Sequence, residues 1–163
     1  MKIFVMSDNH GRLDNIRLAL QREADTKFDL AFHLGDSEHT EEAIKTLFGD
    51  VPVDFVAGNM DSYYSTYPVD VVVNKCGHRI FLTHGHEHRA RNGVMYMRDA
   101  AVAREADIVV YGHTHVPDIR AFGGIWFFNP GSINFPRQED RKCTYGILTL
   151  ERGQDPVFEI KSI

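Results

Sequence analysis

The stretch Ile3-Phe4-Val5-Met6-Ser7-Asp8-Asn9-His10-Gly11 decides the fold. Its apolar half has the length of one buried strand, and it stops at a polar turn closed by glycine. Leu13, Ile16 and Leu20 follow at helical spacing, with Asp14 placed to cap them. The same grammar then repeats. Leu30 to Leu34 is a second apolar run that ends in Gly35-Asp36. Thr40-Glu41-Glu42, then Ala43, Ile44, Leu47 and Phe48 with Gly49 behind them, predict a helix with a start and a stop signal. Val51 to Ala57 is a third run and ends in Gly58-Asn59. Strand, helix, strand, helix, strand predicts a mainly parallel sheet covered by helices.

Farther along the chain, strands dominate. Val69 to Val73 and Arg79 to Thr83 flank Asn74-Lys75-Cys76-Gly77-His78, a hairpin signal. A helix is expected from about Asn92 to Glu105, and a buried strand from Asp107 to Tyr111, ending in Gly112-His113. Ile119 to Phe122 and Ile125 to Phe128 flank Gly123-Gly124, a second hairpin. Thr144 to Leu150 and Val157 to Ile160 close the chain as a meander. The expected class is α/β, with two packed sheets and helices outside.

The 163 residues suit one domain, and no repeat or linker-like tract divides 1–163. With 43% hydrophobic and 25% charged residues the composition is that of a globular protein. No apolar run approaches the ~20 residues that span a bilayer, and the N-terminal run is too short for a signal peptide. Two cysteines, Cys76 and Cys143, far apart in the chain, read as reduced thiols of a cytoplasmic protein. A net charge of −5 argues against binding to long nucleic acid.

The chemistry shows in where polar residues fall. Asp8 and His10, Asp36, Asn59, His84, and His113 with His115 all stand just past the carboxyl end of an apolar run. In open α/β sheets the ligand crevice lies at those ends. Two carboxylates, four imidazoles and an amide oxygen form a nitrogen–oxygen donor set without thiolate, suited to Mn, Fe, Ni, Co or Zn and poorly to Mg or Ca. Seven side chains exceed the needs of one ion and fit two. A pair of ions ~3.5–4 Å apart can hold a hydroxide between them and clamp the oxygens of an in-line displacement. Taken singly the blocks are weaker: Gly-Asp and Gly-Asn-x-Asp are ordinary turn chemistry. Gly112-His113-Thr114-His115 is the most specific piece.

In this order the blocks resemble the calcineurin-like metallophosphoesterase superfamily: Asp8-Asn9-His10, Gly35-Asp36, Gly58-Asn59-Met60-Asp61, Thr83-His84-Gly85-His86 and Gly112-His113-Thr114-His115. The length and Asn129-Pro130-Gly131-Ser132 resemble its small YfcE-like phosphodiesterase branch. The resemblance implies a four-layer α-β-β-α sandwich of two mixed sheets. It implies one metal on Asp8, His10, Asp36 and His115, and a second on Asp36, Asn59, His84 and His113, with Asp36 as bridge. Many relatives carry histidine directly after Gly-Asn, where it can protonate the leaving group or contact the phosphate; here Met60 stands there, and a thioether donates no proton. A metal-bound water or His86 is then the candidate general acid, with His86 equally a solvated turn residue. Asp61 either orients a ligand or forms a turn, and Asn9 either contacts phosphate or forms a turn.

Blander roles fit the remaining groups. His33, within an apolar run, is expected to be buried and structural; His39, His78 and His88 are expected at the surface. Trp126-Phe127-Phe128 reads first as sheet core, with a face between copies in a homo-oligomer as the alternative.

Together these features predict a small-molecule phosphodiesterase with two divalent ions, Mn²⁺ foremost and Ni²⁺, Fe²⁺, Co²⁺ or Zn²⁺ as substitutes, and with Asp36, Asn59 and His86 closest to the reaction. Two ions supply +4, and Asp8, Asp36 and a hydroxide remove three; the remaining +1 matches a singly charged diester. No arginine lies within the motif blocks to favour a monoester. The alternatives are a protein-binding scaffold like the retromer subunit of this family, a phosphomonoesterase and a nuclease.

Overall fold

The computed structural model describes residues 1–61 and 65–163. Among the described residues, ten strands form two five-stranded sheets. The first contains β1 (Lys2–Met6), β2 (Leu30–His33), β3 (Val53–Phe55), β9 (Thr144–Thr149) and β10 (Val157–Ser162), in the order β10-β9-β1-β2-β3. The second contains β4 (Asp70–Lys75), β5 (His78–Thr83), β6 (Ile108–Tyr111), β7 (Pro117–Phe122) and β8 (Ile125–Pro130), in the order β4-β5-β6-β8-β7. Parallel pairing of β1 with β2 and of β2 with β3 is the expected N-terminal pattern.

The alternation of side chains along each strand makes the layers. Ile3 and Val5 point into the core between the sheets with Phe32, Ile80, Leu82, Ile108 and Val110. Phe4 and Met6, one residue out of phase, meet Ile16 and Ala19 of α1 (Asp14–Arg22) and Ile44 and Phe48 of α2 (Glu41–Phe48). On the far side, Phe81, Val109 and Phe127 meet Met97 and Ala101 of α3 (Met95–Ala103). Burial on both faces explains why these strands read as unbroken apolar runs. The order is helix, sheet, sheet, helix, the α-β-β-α sandwich.

Local readings differ from the structure in three places. Asp14 is the first residue of α1, not its cap; Leu13 occupies the cap position, and Asp14 pairs instead with Arg17 at 3.2 Å. The helix expected from Asn92 starts as one 3₁₀ turn, Ala90–Asn92, and breaks at Gly93 before α3 begins. The closing meander forms as expected, β9 and β10 pairing antiparallel, and β9 also pairs antiparallel with β1. His78 and His88 are half-buried and bound to carboxylates, His78 Nδ1 to Asp107 at 2.7 Å and His88 Nε2 to Asp70 at 2.8 Å. His39 is exposed, as expected. The aromatic run belongs to the core: Phe127 and Phe128 are buried, and Trp126 packs on Phe158. Cys76 and Cys143 are free thiols. Among the described residues no helix is long and apolar enough to cross a membrane.

Buried Glu23, just past α1, ties the outer helix layer to the sheet edge. One carboxylate oxygen accepts from the Tyr145 hydroxyl at 2.8 Å and the Lys161 ammonium at 2.7 Å, and the other from Thr26 at 2.9 Å. Burial works to raise this carboxyl, but the bonds from Lys161, Tyr145 and Thr26 outweigh it and hold it below its ordinary value of 4.5. A depressed acid contributes stability above its unfolded value and loses it as pH falls through the folded one. Glu23→Gln is therefore expected to cost about 1–3 kcal/mol at pH 7. Thermal denaturation should show the deficit shrinking as pH drops below 4.5.

Candidate metal centre

The turns after β1, β2, β3, β5 and β6 leave one edge of the two sheets and are bonded to one another. Asp8 N–H donates to Gly35 C=O at 3.1 Å, His10 N–H to Asp36 C=O at 3.0 Å, and Gly112 N–H to His84 C=O at 3.2 Å. The segment Asn129 to Ser132 braces them: the Ser132 hydroxyl donates to Asp8 C=O at 2.9 Å, and the Asn129 amide to Gly112 C=O at 2.9 Å. Asp8, His10, Asp36, His113 and His115 all have positive φ, between 46° and 66°. Such a backbone costs on the order of 1–3 kcal/mol per non-glycine residue and concentrates at functional sites.

The side chains gather in two groups that meet at Asp36. Donor atoms of Asp8, His10, Asp36 and His115 all lie within 4.8 Å of one another. Within this group His10 Nε2 stands 3.4 Å from His115 Nε2, and His115 Nε2 3.0 Å from Asp8 Oδ1. In the second group His84 Nε2 lies 3.2 Å from His113 Nδ1 and 3.2 Å from Asn59 Oδ1. Asp36 Oδ2 lies between the groups, 3.8 Å from His10 Nε2 and 3.5 Å from His84 Nε2. All seven residues singled out in the sequence are thus brought together.

The donor set fits cations. Nδ1 of His10 donates to Glu38 at 2.6 Å, Nδ1 of His84 to Leu34 C=O at 2.6 Å and Nδ1 of His115 to Phe135 C=O at 2.6 Å. In the neutral rings these bonds fix the proton on Nδ1 and aim the Nε2 lone pair into the site, the usual support of a metal-ligating histidine. Asp8 Oδ1 is buried without a hydrogen bond although His115 Nε2 is close by. Lone pairs facing each other at such distances repel unless a positive charge lies between them.

Electrostatics keep several ligands ready. For both Asp8 and Asp36 burial works upward, but hydrogen bonds and the charge of the surrounding imidazoles outweigh it and hold the carboxyls ionised. Burial, then His84 and the Arg91 guanidinium, push His113 down to about 4, so its ring is neutral. Burial opposes a charge on His84 too, yet Asp36 and Asp8 overcome it and raise that ring.

Other residues settle into supporting roles. Asn9 is buried: it donates to Arg12 C=O at 3.0 Å and Thr40 Oγ1 at 2.9 Å, and meets His33 Nε2 at 2.9 Å. The phosphate-binding alternative for Asn9 is therefore set aside. His33 is buried, as expected, and burial first of all pushes its ring down to about 4. Asp61 accepts the N–H groups of Glu38 and Gly58, each at 2.8 Å, joining the turns that carry Asp36 and Asn59. Met60 is exposed, and its N–H donates to Asp36 Oδ1 at 2.9 Å. His86 is half-buried beside the second group, its ring 5.3 Å from that of His84.

Sequence reasoning missed the arginines. A cavity of about 580 Å³ opens against His10 and His115, and Arg12, Arg137 and Arg141 line it with Phe135. Arg12 follows the first motif by two positions and was available to the eye; Arg137 and Arg141 come from a loop with no motif of its own.

A calcineurin-like phosphoesterase superfamily domain model matches residues 1–153. The chain belongs to this superfamily. The probable metallophosphoesterase YsnB of Bacillus subtilis is 30% identical over 93% of this chain and 85% of its own length. The phosphodiesterase YfcE of Escherichia coli K12 is 28% identical over 91% of this chain and 87% of its own. A solved E. coli YfcE structure superposes with a TM-score of 0.71 at 26% identity, covering all of both chains. Vps29 of Entamoeba histolytica, solved in complex with Zn²⁺, reaches a TM-score of 0.79 at 18% identity over 99% of each chain, a likeness of fold alone. The metallophosphoesterase fold explains why the donors converge on one sheet edge.

Within this phosphoesterase domain, Gly58 lets two ligand turns touch. A Cβ there would collide with the Asp36 carboxylate and the Asp36 backbone nitrogen. Gly58→Ala is expected to cost about 1–3 kcal/mol by overpacking. It should also displace Asp36, so that Mn²⁺ raises the Tm of the variant less than that of wild type in a thermal shift titration.

Proposed function

We propose that residues 1–163 act as one domain, a hydrolase of small phosphodiesters that uses two divalent cations, with Mn²⁺ the first choice and Ni²⁺, Fe²⁺, Co²⁺ or Zn²⁺ as substitutes. The observation that carries this reading is the division of seven donors into two groups sharing Asp36. Asp8, His10 and His115 would hold one cation, Asn59, His84 and His113 the other, and Asp36 would be shared by both. When bound, such a pair supplies a water acidified to near neutrality and positive charge at the ester oxygens.

The chain's own residues do the rest. The Met60 N–H holds Asp36 Oδ1, which leaves Oδ2 toward both groups. Glu38, Leu34 and Phe135 hold three imidazoles in one tautomer by accepting their Nδ1 protons. Asn59 presents a neutral oxygen, which leaves the total negative charge of the ligands low enough to admit an anionic ester. His86, whose ring lies 5.3 Å from that of His84, would be the candidate proton donor to the leaving oxygen, since Met60 has none to give. The free thiols Cys76 and Cys143 are in keeping with work in a reducing cytoplasm. A scaffold of the same fold has no need of a complete donor set, and here every position is filled.

The test is an activity panel of phosphate mono- and diesters with each metal. Wild type is expected to hydrolyse bis(4-nitrophenyl) phosphate when Mn²⁺ is added. Changes to groups that merely support a ligand cost 10–100-fold, so Asp36→Ala should lose more than about 100-fold in kcat/KM. A wild-type protein inert with every metal would count against the enzyme reading and favour the scaffold.

A further inference from the structure

Beside the donor cluster, the cavity of about 580 Å³ carries an excess of positive charge that the ligand set does not use. Arg12, Arg137 and Arg141 are exposed, and among the described residues none has a carboxylate partner. The Arg12 guanidinium rests 4.8 Å from the centre of the Phe135 ring, and Arg141 donates to Pro136 C=O at 3.3 Å. The one acid in the wall, Glu38, is engaged by His10 at 2.6 Å. Three guanidinium groups face one carboxylate whose charge is already directed elsewhere.

Position separates this cavity from the reacting centre. His10 and His115 form its inner wall, whereas Asp36, Asn59, His84 and His113 do not line it. A group held there stands to one side of the seven donors. Backbone bonds fix the wall in place: Arg137 N–H donates to His115 C=O at 3.0 Å, and Phe135 C=O accepts from the His115 ring. The arginine loop is thereby tethered to a ligand residue. Guanidinium groups bind phosphate through paired charge-assisted hydrogen bonds, which a neutral substituent cannot supply. The volume lies within the range of sites that take nucleotide-sized groups.

We propose that Arg12, Arg137 and Arg141 form an anion subsite beside the metal centre, so that the preferred substrates are phosphodiesters in which one substituent carries a second phosphate. This rests on the phosphodiesterase reading. It assigns the arginines to the substituent and not to the phosphate that is cleaved.

The matched pair thymidine 3′-(4-nitrophenyl phosphate), with and without a 5′-phosphate, tests it. With Mn²⁺, wild type is expected to favour the 5′-phosphorylated ester by about tenfold or more in kcat/KM, mainly through KM. The ratio should fall toward one in Arg12→Gln and in the double variant Arg137→Gln/Arg141→Gln. Because a ratio is read, a general loss of activity cancels. Equal turnover of both esters by wild type overturns the subsite and leaves the phosphodiesterase standing. So does a preference for 4-nitrophenyl phosphate that disappears in the same variants, because the arginines would then serve the cleaved group. If neither ester is hydrolysed, turnover gives no ratio, and calorimetric binding decides the subsite. Tighter binding of thymidine 3′,5′-bisphosphate than of thymidine 3′-phosphate supports it, and equal binding overturns it.

Discussion

The turn after β1 is the point through which the two sheets reach each other. Asp8 lies in the first sheet's edge, yet its Oδ2 accepts the N–H of His113 from the second at 3.2 Å. Its backbone donates to the turn after β2 and accepts from Ser132. One buried residue thus registers both sheets along the edge where the ligands stand. Its carboxylate can do so because its remaining oxygen, Oδ1, is left facing His115 instead of being consumed by the fold. Structural and chemical duties fall on different atoms of the same group.

That economy has a conformational cost. Five of the seven candidate ligands adopt left-handed backbone, which aspartate and histidine tolerate better than branched residues do. Strain of this kind persists only where surrounding bonds over-determine it. Asn129 and Ser132, far along the chain, supply part of that restraint, as does Asp61 between the turns carrying Asp36 and Asn59. Cations would add the rest by replacing repulsion among lone pairs with attraction, and binding free energy would then contribute to folding.

Much of this was legible in the residues alone, because the signals are local. An apolar run that ends in Gly-Asp or Asp-x-His marks both a buried strand and what stands at its end, so the order of the N-terminal strands and all seven donors could be read directly. Sheet membership was less legible: β8 and β9 look alike as strands, and only tertiary pairing sends them to different sheets. Single side chains with two plausible roles were ambiguous for a similar reason. Asn9 could face phosphate or the interior, and its bonds to Thr40 and His33, both distant in sequence, decide for the interior. The arginine wall was invisible because Arg137 and Arg141 have no periodicity or motif, and only the tether to His115 brings their loop to the edge.

The position of β1 also bears on the order of assembly. It lies in the middle of its sheet, between β2 and β9, and Met1 itself donates to Leu150 C=O at 2.9 Å. On a ribosome the strand leading to Asp8 emerges well before β9, and one of its flanks stays bare until Thr144–Thr149 has been synthesised. Contacts that span nearly the whole chain are slow to form. The strand is consequently completed long after it is made, and a nascent chain halted before β9 would carry an apolar strand with an open edge, the kind of surface that recruits chaperones or other strands.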